Sequence, residues 1–245
     1  MVLADMTRRT PKPEDPPAEA STEPRGSAQE ELSRMMVATG QATKRSNKRG
    51  LETRKRIIAA ASQCFAEYGY AGTRISDIVH RTGTAQGNFY RHFSGLDDVF
   101  LAALKPCLDD LANARGSELG GADRRQSLVE RNTAFLESYS RNRHLLRVMR
   151  EAASIVGNDD FRRLWLKLRG DFVARTHRWL VRLHATGEIG DGDFEMLAEA
   201  LGCMTEQLAY VHIGLTPVSP RAEDIRRMAV VLSDVWERAL PDAAN

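Results

Sequence analysis

Residues 51–93 constrain the fold more than any other part of the chain, because two glycines divide them into three segments with helical periodicity. In the first segment, about 51–68, apolar residues recur three and four positions apart, which predicts a helix with one buried face. Those residues are Ile57, Ile58, Ala61, Cys64, Phe65 and Tyr68. Gly69 follows them and can end the helix in a left-handed conformation.

Two shorter helices are predicted after it. The first covers about 75–82, and Gly83 then supplies a turn in which a positive φ costs little. The second begins near Thr84 or Ala85, where the threonine hydroxyl can cap the free amides, and it runs to Phe93. Two short helices joined by a tight glycine turn are typical of a helix-turn-helix, whose second helix enters the major groove of DNA.

The rest of the chain also predicts helices, and its sequence contains no alternating strand pattern of useful length. A fourth helix should run from about 96 to 115, with Pro106 kinking it or marking a join. Later helices are predicted at about 123–141, 144–156, 159–186, 193–213 and 222–240, with Asn142 among the separating signals. The predicted fold class is therefore all-α, with a small N-terminal three-helix domain and a larger helical domain after it.

Composition divides the chain into three parts. Residues 1–43 are rich in Pro, Glu, Ser, Thr and Ala and are predicted to be a disordered extension, with at most a transient helix at 32–37. Residues 44–96 form the predicted helix-turn-helix domain with a basic arm, and 97–245 form the larger domain. No apolar run in the sequence reaches the roughly 20 residues of a membrane span, and the N-terminus has no apolar signal core. A cytoplasmic protein with no membrane partner is therefore expected.

Positive charge is concentrated in one block. Residues 44–93 carry ten basic and three acidic side chains, a net charge of +7, whereas residues 94–245 carry −3. A charge run is often only a solvated surface, but on a predicted helix-turn-helix it favours a polyanionic partner. The three cysteines lack metal-ligand spacing, so reduced, buried thiols are expected, with no metal and no cofactor.

The register from Arg54 to Phe93 matches a known pattern. The first helix and its turn carry Arg54, Ile57, Ile58, Ala60, Ala61, Cys64, Phe65, Ala66, Glu67, Gly69, Tyr70, Gly72 and Thr73. The second helix carries Ile75, Asp77, Ile78, Val79 and Gly83, and the third ends on Gly87, Asn88, Phe89, Tyr90, Arg91, His92 and Phe93. In this order and spacing, residues 51–104 resemble the DNA-binding domain of TetR-type bacterial transcription regulators.

The resemblance implies a set of DNA contacts spread over the arm and the three helices. The set is Lys48, Arg49, Arg54, Arg74, Thr84, Ala85, Gln86, Gly87, Asn88, Tyr90 and His92. Gln86 stands where the family often has a lysine, and its amide could read an adenine. Tyr90 and His92 would contact the DNA backbone; the alternative is that they only cap the small core.

Two positions depart from the family pattern. The family often has a lysine at the start of the fourth helix, where this chain has Leu96, Asp97 and Asp98. The aspartates suit a helix N-terminus but disfavour a nearby phosphate. Arg74 also replaces a common capping threonine. Both departures bear on the phosphate contacts and neither on the fold.

For the larger domain, the resemblance implies dimerisation through the last two long helices, about 193–213 and 222–240, so that two recognition helices read an inverted-repeat operator in double-stranded DNA. Apolar stripes on these helices would face the partner; the alternative is that they are internal core. The stripes are Phe194, Leu197, Leu201, Met204, Leu208, Val211, Ile225, Met228, Leu232, Val235 and Trp236.

The resemblance also implies a small apolar or amphipathic effector, bound between the fourth helix and the helices near 123–186. Candidate lining residues are Phe135, Tyr139, Met149, Trp165, Phe172, Trp179 and Met204, although such a stripe is often plain core. Effector binding would tilt the fourth helix and move the recognition helices out of register with successive major grooves. Repression is the family's common mode, and activation stays open.

Other classes of function fit the sequence less well. An enzyme is disfavoured, because the sequence has no HExxH, GxSxG, GxGxxG or P-loop pattern in the required context. A non-specific architectural DNA-binding protein would explain the basic block but not the acidic helical body. A protein-interaction module that kept the fold and lost DNA binding is the third alternative, for which Leu96 and Asp97 are the argument.

Overall fold

The computed structural model of the chain describes residues 27–38, 48–114 and 123–243, and within these ranges every regular element is helical. The α-helices are α1 (Ala28–Ala38), α2 (Lys48–Gly72), α3 (Ile75–Thr82), α4 (Gln86–Tyr90), α5 (Leu96–Asn113), α6 (Arg124–Ala153), α7 (Asp159–Ala185), α8 (Phe194–Ala209) and α9 (Ala222–Ala239). A short π-helix, Tyr210–Gly214, continues α8. The all-α prediction is confirmed. None of the helices in these ranges has the length and apolarity to cross a bilayer.

The apolar face predicted for the first long helix is the buried face of α2. Ile57, Cys64 and Phe65 are almost completely buried, whereas Tyr68, which was predicted on the same face, is 44% exposed. Tyr68 is the last residue before Gly69, which interrupts the helix with a φ of 69°, so the chain takes a new direction directly after it.

An aromatic cluster joins α2 to the rest of the molecule. The ring of Phe100 on α5 has its centroid 4.7 Å from that of Phe65, 5.2 Å from that of Tyr70 and 5.4 Å from that of Phe161 on α7. Tilted aromatic pairs at these separations are favourable beyond the area they bury. Helix α5 therefore packs on both parts of the protein, and the predicted boundary at 96–97 falls at its first turn.

Part of the extension predicted to be disordered is the helix α1. Ala28, Leu32 and Met35, spaced four and three apart, are buried where α1 packs on α5 and α7. An 11-residue helix is marginal on its own and depends on tertiary packing, which local composition does not reveal. The prediction of disorder over 1–43 is therefore wrong for α1, and the remainder of that segment lies outside the described residues.

Helix α6 is continuous where two helices were predicted. The Asn142 side chain does not end it, because its Nδ2 donates to Asp110 Oδ2 on α5 (2.7 Å) and to the Ser138 carbonyl (2.9 Å). The amide thus joins α6 to α5 and also donates to a backbone carbonyl of its own helix, without ending that helix. Pro106 likewise lies within α5 and marks no join.

The apolar stripes predicted to face a partner subunit are mostly internal. Leu201, Leu232 and Trp236 are at most 3% exposed and pack within the body, so the alternative of internal core is correct for them. Two of the predicted residues, Val211 and Val235, do face outward, as do Met196 and Val231 on the same helices. The prediction of buried thiols holds for Cys64 and Cys107 and is wrong for Cys203, which is exposed.

Candidate nucleic-acid interface and cavity

Two phenylalanines hold α4 in place. Phe89 and Phe93 are buried, and their ring centroids lie 5.7 Å apart. The Phe93 amide donates to the Phe89 carbonyl (3.0 Å), which carries the turn past the end of α4 at Tyr90. The guanidinium carbon of Arg54 on α2 lies 4.6 Å from the centroid of the Phe93 ring, a cation–π contact. The inner side of α4 is therefore fixed against α2.

The opposite side of α4 faces solvent. Its exposed residues are Ala85, Gln86, Gly87 and Tyr90, and Asn88 and His92 are half-buried. The Tyr90 side chain is 51% exposed and packs edge-on against Phe89 at a centroid distance of 5.5 Å. One edge of the ring thus rests on the core, as the capping alternative expects, and the rest of it is accessible.

The turn before α4 is closed by α2 and not by a threonine cap. The residue that precedes α4 is Ala85, and no side chain caps the helix, so the prediction that Thr84 does so is wrong. Instead the Thr84 hydroxyl lies 2.7 Å from that of Thr82, and Arg56 Nη2 donates to the Thr82 carbonyl (2.8 Å). Gly83 has a φ of 65°, as predicted for this turn.

The basic residues predicted to contact DNA fall into two groups. Arg49 and Arg74 are exposed, whereas Arg54 is half-buried on Phe93. Burial lowers the pKa of Arg54, and the charge of Asp98 partly raises it. Arg54 therefore also positions the end of α4. Lys48 begins α2, and its side chain lies outside the described residues.

The aspartates at the start of α5 have structural partners, which explains the departure from the family pattern. Asp98 is buried and accepts hydrogen bonds from the Ser94 amide (2.7 Å) and hydroxyl (3.2 Å). Asp97 accepts from the Tyr70 hydroxyl of α2. Both carboxylates thus fasten the first turn of α5, and their partners could not be recognised from helical periodicity.

A second candidate site is a cavity between α1, α5, α6, α7 and α8. Its volume is about 70 Å³, and about 820 Å³ when the open space at its mouth is included. Five of the predicted lining residues border it: Phe135, Tyr139, Met149, Trp165 and Phe172. Trp179 and Met204 do not. Trp179 packs with Trp236, at 6.0 Å between centroids, and Met204 packs among the buried residues of the body.

Charged side chains also line this cavity, and the sequence prediction missed them. Arg169 Nε lies 3.4 Å from a Glu206 oxygen and Arg150 Nη1 lies 3.8 Å from the other. Burial raises the pKa of Glu206, and the two arginines partly offset that effect. Asp171 accepts a hydrogen bond from the Ala28 amide of α1 (2.7 Å), so α1 forms one wall. On a sequence, charges on helices resemble a solvated surface, which is why no signal identified this lining.

Comparison with known proteins adds three matches to this geometry. A family model described as bacterial regulatory proteins, tetR family, matches residues 57–103. The HTH-type transcriptional repressor Rv1474c of Mycobacterium tuberculosis is 25% identical over 179 residues, which are 73% of this chain and 88% of that protein. The HTH-type transcriptional activator FasR of Mycolicibacterium smegmatis is 26% identical over 168 residues, 69% of each chain.

The fold itself recurs among solved structures. A crystal structure of a TetR-family transcriptional regulator from Mesorhizobium loti superposes with a TM-score of 0.60 at 18% identity, over 80% of this chain and all of that one. At this identity the likeness concerns the fold, including the larger helical domain that the family model does not reach.

Proposed function

This chain belongs to the TetR family of DNA-binding transcription regulators, and we propose that it represses its target genes by binding an inverted-repeat operator as a homodimer. The observation that carries the proposal is the geometry of α4. Phe89 and Phe93 anchor one side of this helix, and the other side presents Gln86 and Tyr90 to solvent. A short, rigid helix with exposed polar residues is suited to the major groove.

The proposed contacts divide into reading and positioning. Thr84, Ala85, Gln86 and Asn88 lie at the start of α4 and read base edges, with the Gln86 amide suited to adenine. Positioning on phosphates falls to Lys48, Arg49, Arg74, Tyr90 and His92, with Arg54 behind them. Gly87 has no side chain between α4 and the groove. The first turn of α5 takes no phosphate, because Asp97 and Asp98 are held by Tyr70 and Ser94.

Dimerisation through 193–213 and 222–240 is supported by the outward apolar residues on α8, its π-helical extension and α9. Val231 and Val235 lie one turn apart on α9, and Met196 and Val211 occupy α8 and its extension; each is at least 41% exposed. Two helices from each subunit would then form a four-helix interface about a two-fold axis. The contact residues are thus proposed to differ from the buried stripes Leu201 and Trp236.

Effector control is supported by the position of α5. Its first turn is fastened to the DNA-binding helices through Asp97 and Tyr70, and farther along Leu108 and Leu111 line the cavity. A ligand in the cavity that favours a tilted α5 would change the separation of the two recognition helices. Binding to successive major grooves needs about 34–36 Å between them, so operator affinity would fall.

Whether the protein represses or activates transcription depends on where the operator lies relative to the promoter. One relative is named a repressor and the other an activator, and we propose repression, in which the bound dimer blocks a promoter on the chromosome in the cytoplasm. A reporter gene fused to the operator should be more active when the gene for this protein is deleted. Lower reporter activity in the deletion strain would indicate activation.

Selection of binding sites from genomic fragments tests the DNA-binding proposal. The purified protein should enrich an inverted repeat whose half-sites lie about 10 base pairs apart, or a multiple of that spacing. Retention of DNA without an enriched sequence would favour the architectural alternative, and no retention at low salt would favour the protein-interaction alternative.

Substitution of Tyr90 tests whether α4 lies against the DNA. Tyr90→Ala should weaken operator binding about ten- to a hundredfold through lost backbone contacts and leave the far-ultraviolet circular dichroism unchanged, because the side chain is exposed. Tyr90→Phe removes the hydroxyl alone and separates the hydrogen bond from ring packing. Tyr68→Ala, at another exposed tyrosine outside the proposed interface, is the matched control and should bind like wild type.

A further inference from the structure

Helix α1 supplies part of the lining of the cavity. Ala28 and Gln29 border it, and the other lining residues belong to α5, α6, α7 and α8. Residues 27–38 precede both the helices α2 to α4 and the stretch 57–103 that the family model matches. A segment outside the DNA-binding domain of the family therefore takes part in forming the candidate effector site.

The start of α1 is fixed beside the cavity by contacts of two kinds. Within the helix, the Ser27 amide donates to Glu30 Oε2 (2.9 Å) and the Glu30 amide donates to the Ser27 hydroxyl (3.3 Å), which together form a capping box. Between helices, the Ala28 amide donates to Asp171 Oδ2 on α7 (2.7 Å), and Asp171 also lines the cavity. A carboxylate is favourable at a helix N-terminus. The first turn of α1 is therefore held where a ligand in the cavity would touch it.

The rest of α1 is held by a small number of side chains. Leu32 and Met35 are buried in one apolar cluster with Phe161 of α7. Glu31 is also buried, and its Oε1 lies 3.6 Å from Nε of Arg163 on α7. An 11-residue helix is marginal by itself, so α1 depends on these contacts for its structure. Segments that bury few apolar side chains open locally at a low cost in free energy, so one additional contact can shift the balance.

A ligand in the cavity would supply such a contact. It would lie against Ala28 and Gln29 of α1 and against body residues such as Trp165 of α7. Because a ligand that touches both parts binds better when α1 is docked than when it is detached, it favours the docked state. The coupling is reciprocal, since docking of α1 strengthens ligand binding by the same factor by which the ligand strengthens docking.

We propose that α1 is a ligand-dependent wall of the effector site, so that the effector and α1 bind cooperatively to helices α5 to α8. A bound effector keeps α1 docked, and detachment of α1 weakens effector binding. This role of α1 rests on the effector site proposed above, and it adds the segment of the chain that completes that site.

Limited proteolysis in the presence of N-phenyl-1-naphthylamine, an uncharged aromatic probe, tests the coupling. Trypsin cleaves after Arg34, the one basic residue of α1, when the helix opens. With the probe at about ten times its dissociation constant, cleavage after Arg34 should slow about tenfold, because the docked state gains that factor in population. Cleavage after Arg221, an exposed residue before α9, reports the activity of trypsin itself and should keep its rate.

Variants of α1 test the reciprocal effect. Leu32→Ala, which removes a buried contact, should bind the probe about tenfold more weakly than wild type in a fluorescence titration. Val37→Ala changes an exposed residue of the same helix and should bind the probe as wild type does. Operator affinity without the probe should be equal in the three proteins, which controls for folding of the DNA-binding helices.

Three results would overturn the role of α1. Equal cleavage rates after Arg34 with and without saturating probe would remove the coupling and leave the effector cavity in place. Tighter binding of the probe to Leu32→Ala would make α1 a competitor for the site instead of one of its walls. If the wild type does not bind the probe, the inference fails, whereas operator selection still decides independently whether the protein is a DNA-binding regulator.

Discussion

The DNA-binding unit and the cavity are both made of helices, but they are held together differently. The unit, α2 to α4, depends on a few anchors close in the chain, with five-residue α4 fixed by Phe89 and Phe93. The cavity is enclosed by five helices whose lining residues run from Ala28 to Glu206. A small rigid unit and a cavity wall assembled from distant parts of the chain should respond differently to substitution. The DNA-binding unit and the cavity wall are in contact at α5, through Phe100.

Loss of the shared anchor should have the largest effect. Phe100→Ala removes a buried ring that contacts α2 and α7 together, so unfolding free energy should fall by about 3–5 kcal/mol. Because both regions pack on this ring, operator binding and thermal stability should decline together.

Urea denaturation followed by circular dichroism measures this loss. Leu166→Ala on α7 changes a half-exposed residue and should alter stability by no more than about 0.5 kcal/mol. If Phe100→Ala lowered stability and left operator affinity at the wild-type value under native conditions, the two regions would be less coupled than the shared cluster implies.

Helix α1 sharpens the comparison, because it should behave as part of the cavity wall and not as part of the DNA-binding unit. Leu32 is 2% exposed, and Leu32→Ala should lower the free energy of unfolding by about 2 kcal/mol. This is the lower end of the range for such a substitution, because α1 can detach from the body instead of enclosing an empty cavity. Residues 27–38 should then become sensitive to trypsin while operator affinity stays unchanged.

Val37→Ala provides the control on the same helix, since Val37 is 64% exposed and its loss should leave α1 protected. Equal protease sensitivity of wild type and Leu32→Ala would mean that α1 does not depend on this packing.

The same contrast explains which features could be predicted from the sequence. Helix α3 and the Gly83 turn follow from local rules, namely apolar spacing and a positive φ, and both were predicted correctly. Helix α1, the continuity of α6 at Asn142 and the inward orientation of Trp236 depend on partners far along the chain. Periodicity identifies a buried face but not the surface that buries it, so most of the apolar pattern in α8 and α9 was assigned to the wrong neighbour.

Substitutions of two glycines separate the effect of backbone strain on stability from the effect of an added side chain on DNA binding. Gly83 has a φ of 65° and open space where a Cβ would lie, so Gly83→Ala should cost about 1–2 kcal/mol through backbone conformation alone. Gly87 lies inside α4 and also has open space, so Gly87→Ala should leave stability unchanged or slightly higher.

Operator affinity then distinguishes the Gly83→Ala and Gly87→Ala variants. Gly87→Ala should weaken binding if α4 approaches the groove closely, although the fold is intact. Thermal unfolding and gel shifts measure the two quantities separately. Wild-type operator affinity in Gly87→Ala would place the DNA farther from α4 than proposed.

The smallest effect concerns the pH dependence of a contact within the body. Asp110 accepts hydrogen bonds from Arg141, Ser138 and Asn142, and these contacts, that from Arg141 foremost, hold the pKa of its carboxyl below the usual range. A lowered pKa means that the folded state favours the ionised form. The stabilisation is therefore complete above the ordinary aspartate pKa of about 4 and is lost as the pH falls through the lowered value.

Asp110→Asn should accordingly be less stable than wild type at pH 7 by under about 1 kcal/mol, because solvent screens a carboxylate that is 36% exposed. The difference in unfolding free energy should shrink as the pH falls below about 4 towards the lowered pKa, where the folded wild-type carboxyl also loses its charge. Asp109→Asn changes the neighbouring half-exposed aspartate, which forms an ion pair with Lys105 one turn away, and should shift stability by no more than about 0.5 kcal/mol. If Asp110→Asn lost the same unfolding free energy at every pH, the contact would depend on hydrogen-bond geometry and not on charge. Asn142 would then hold α6 to α5 as a neutral partner.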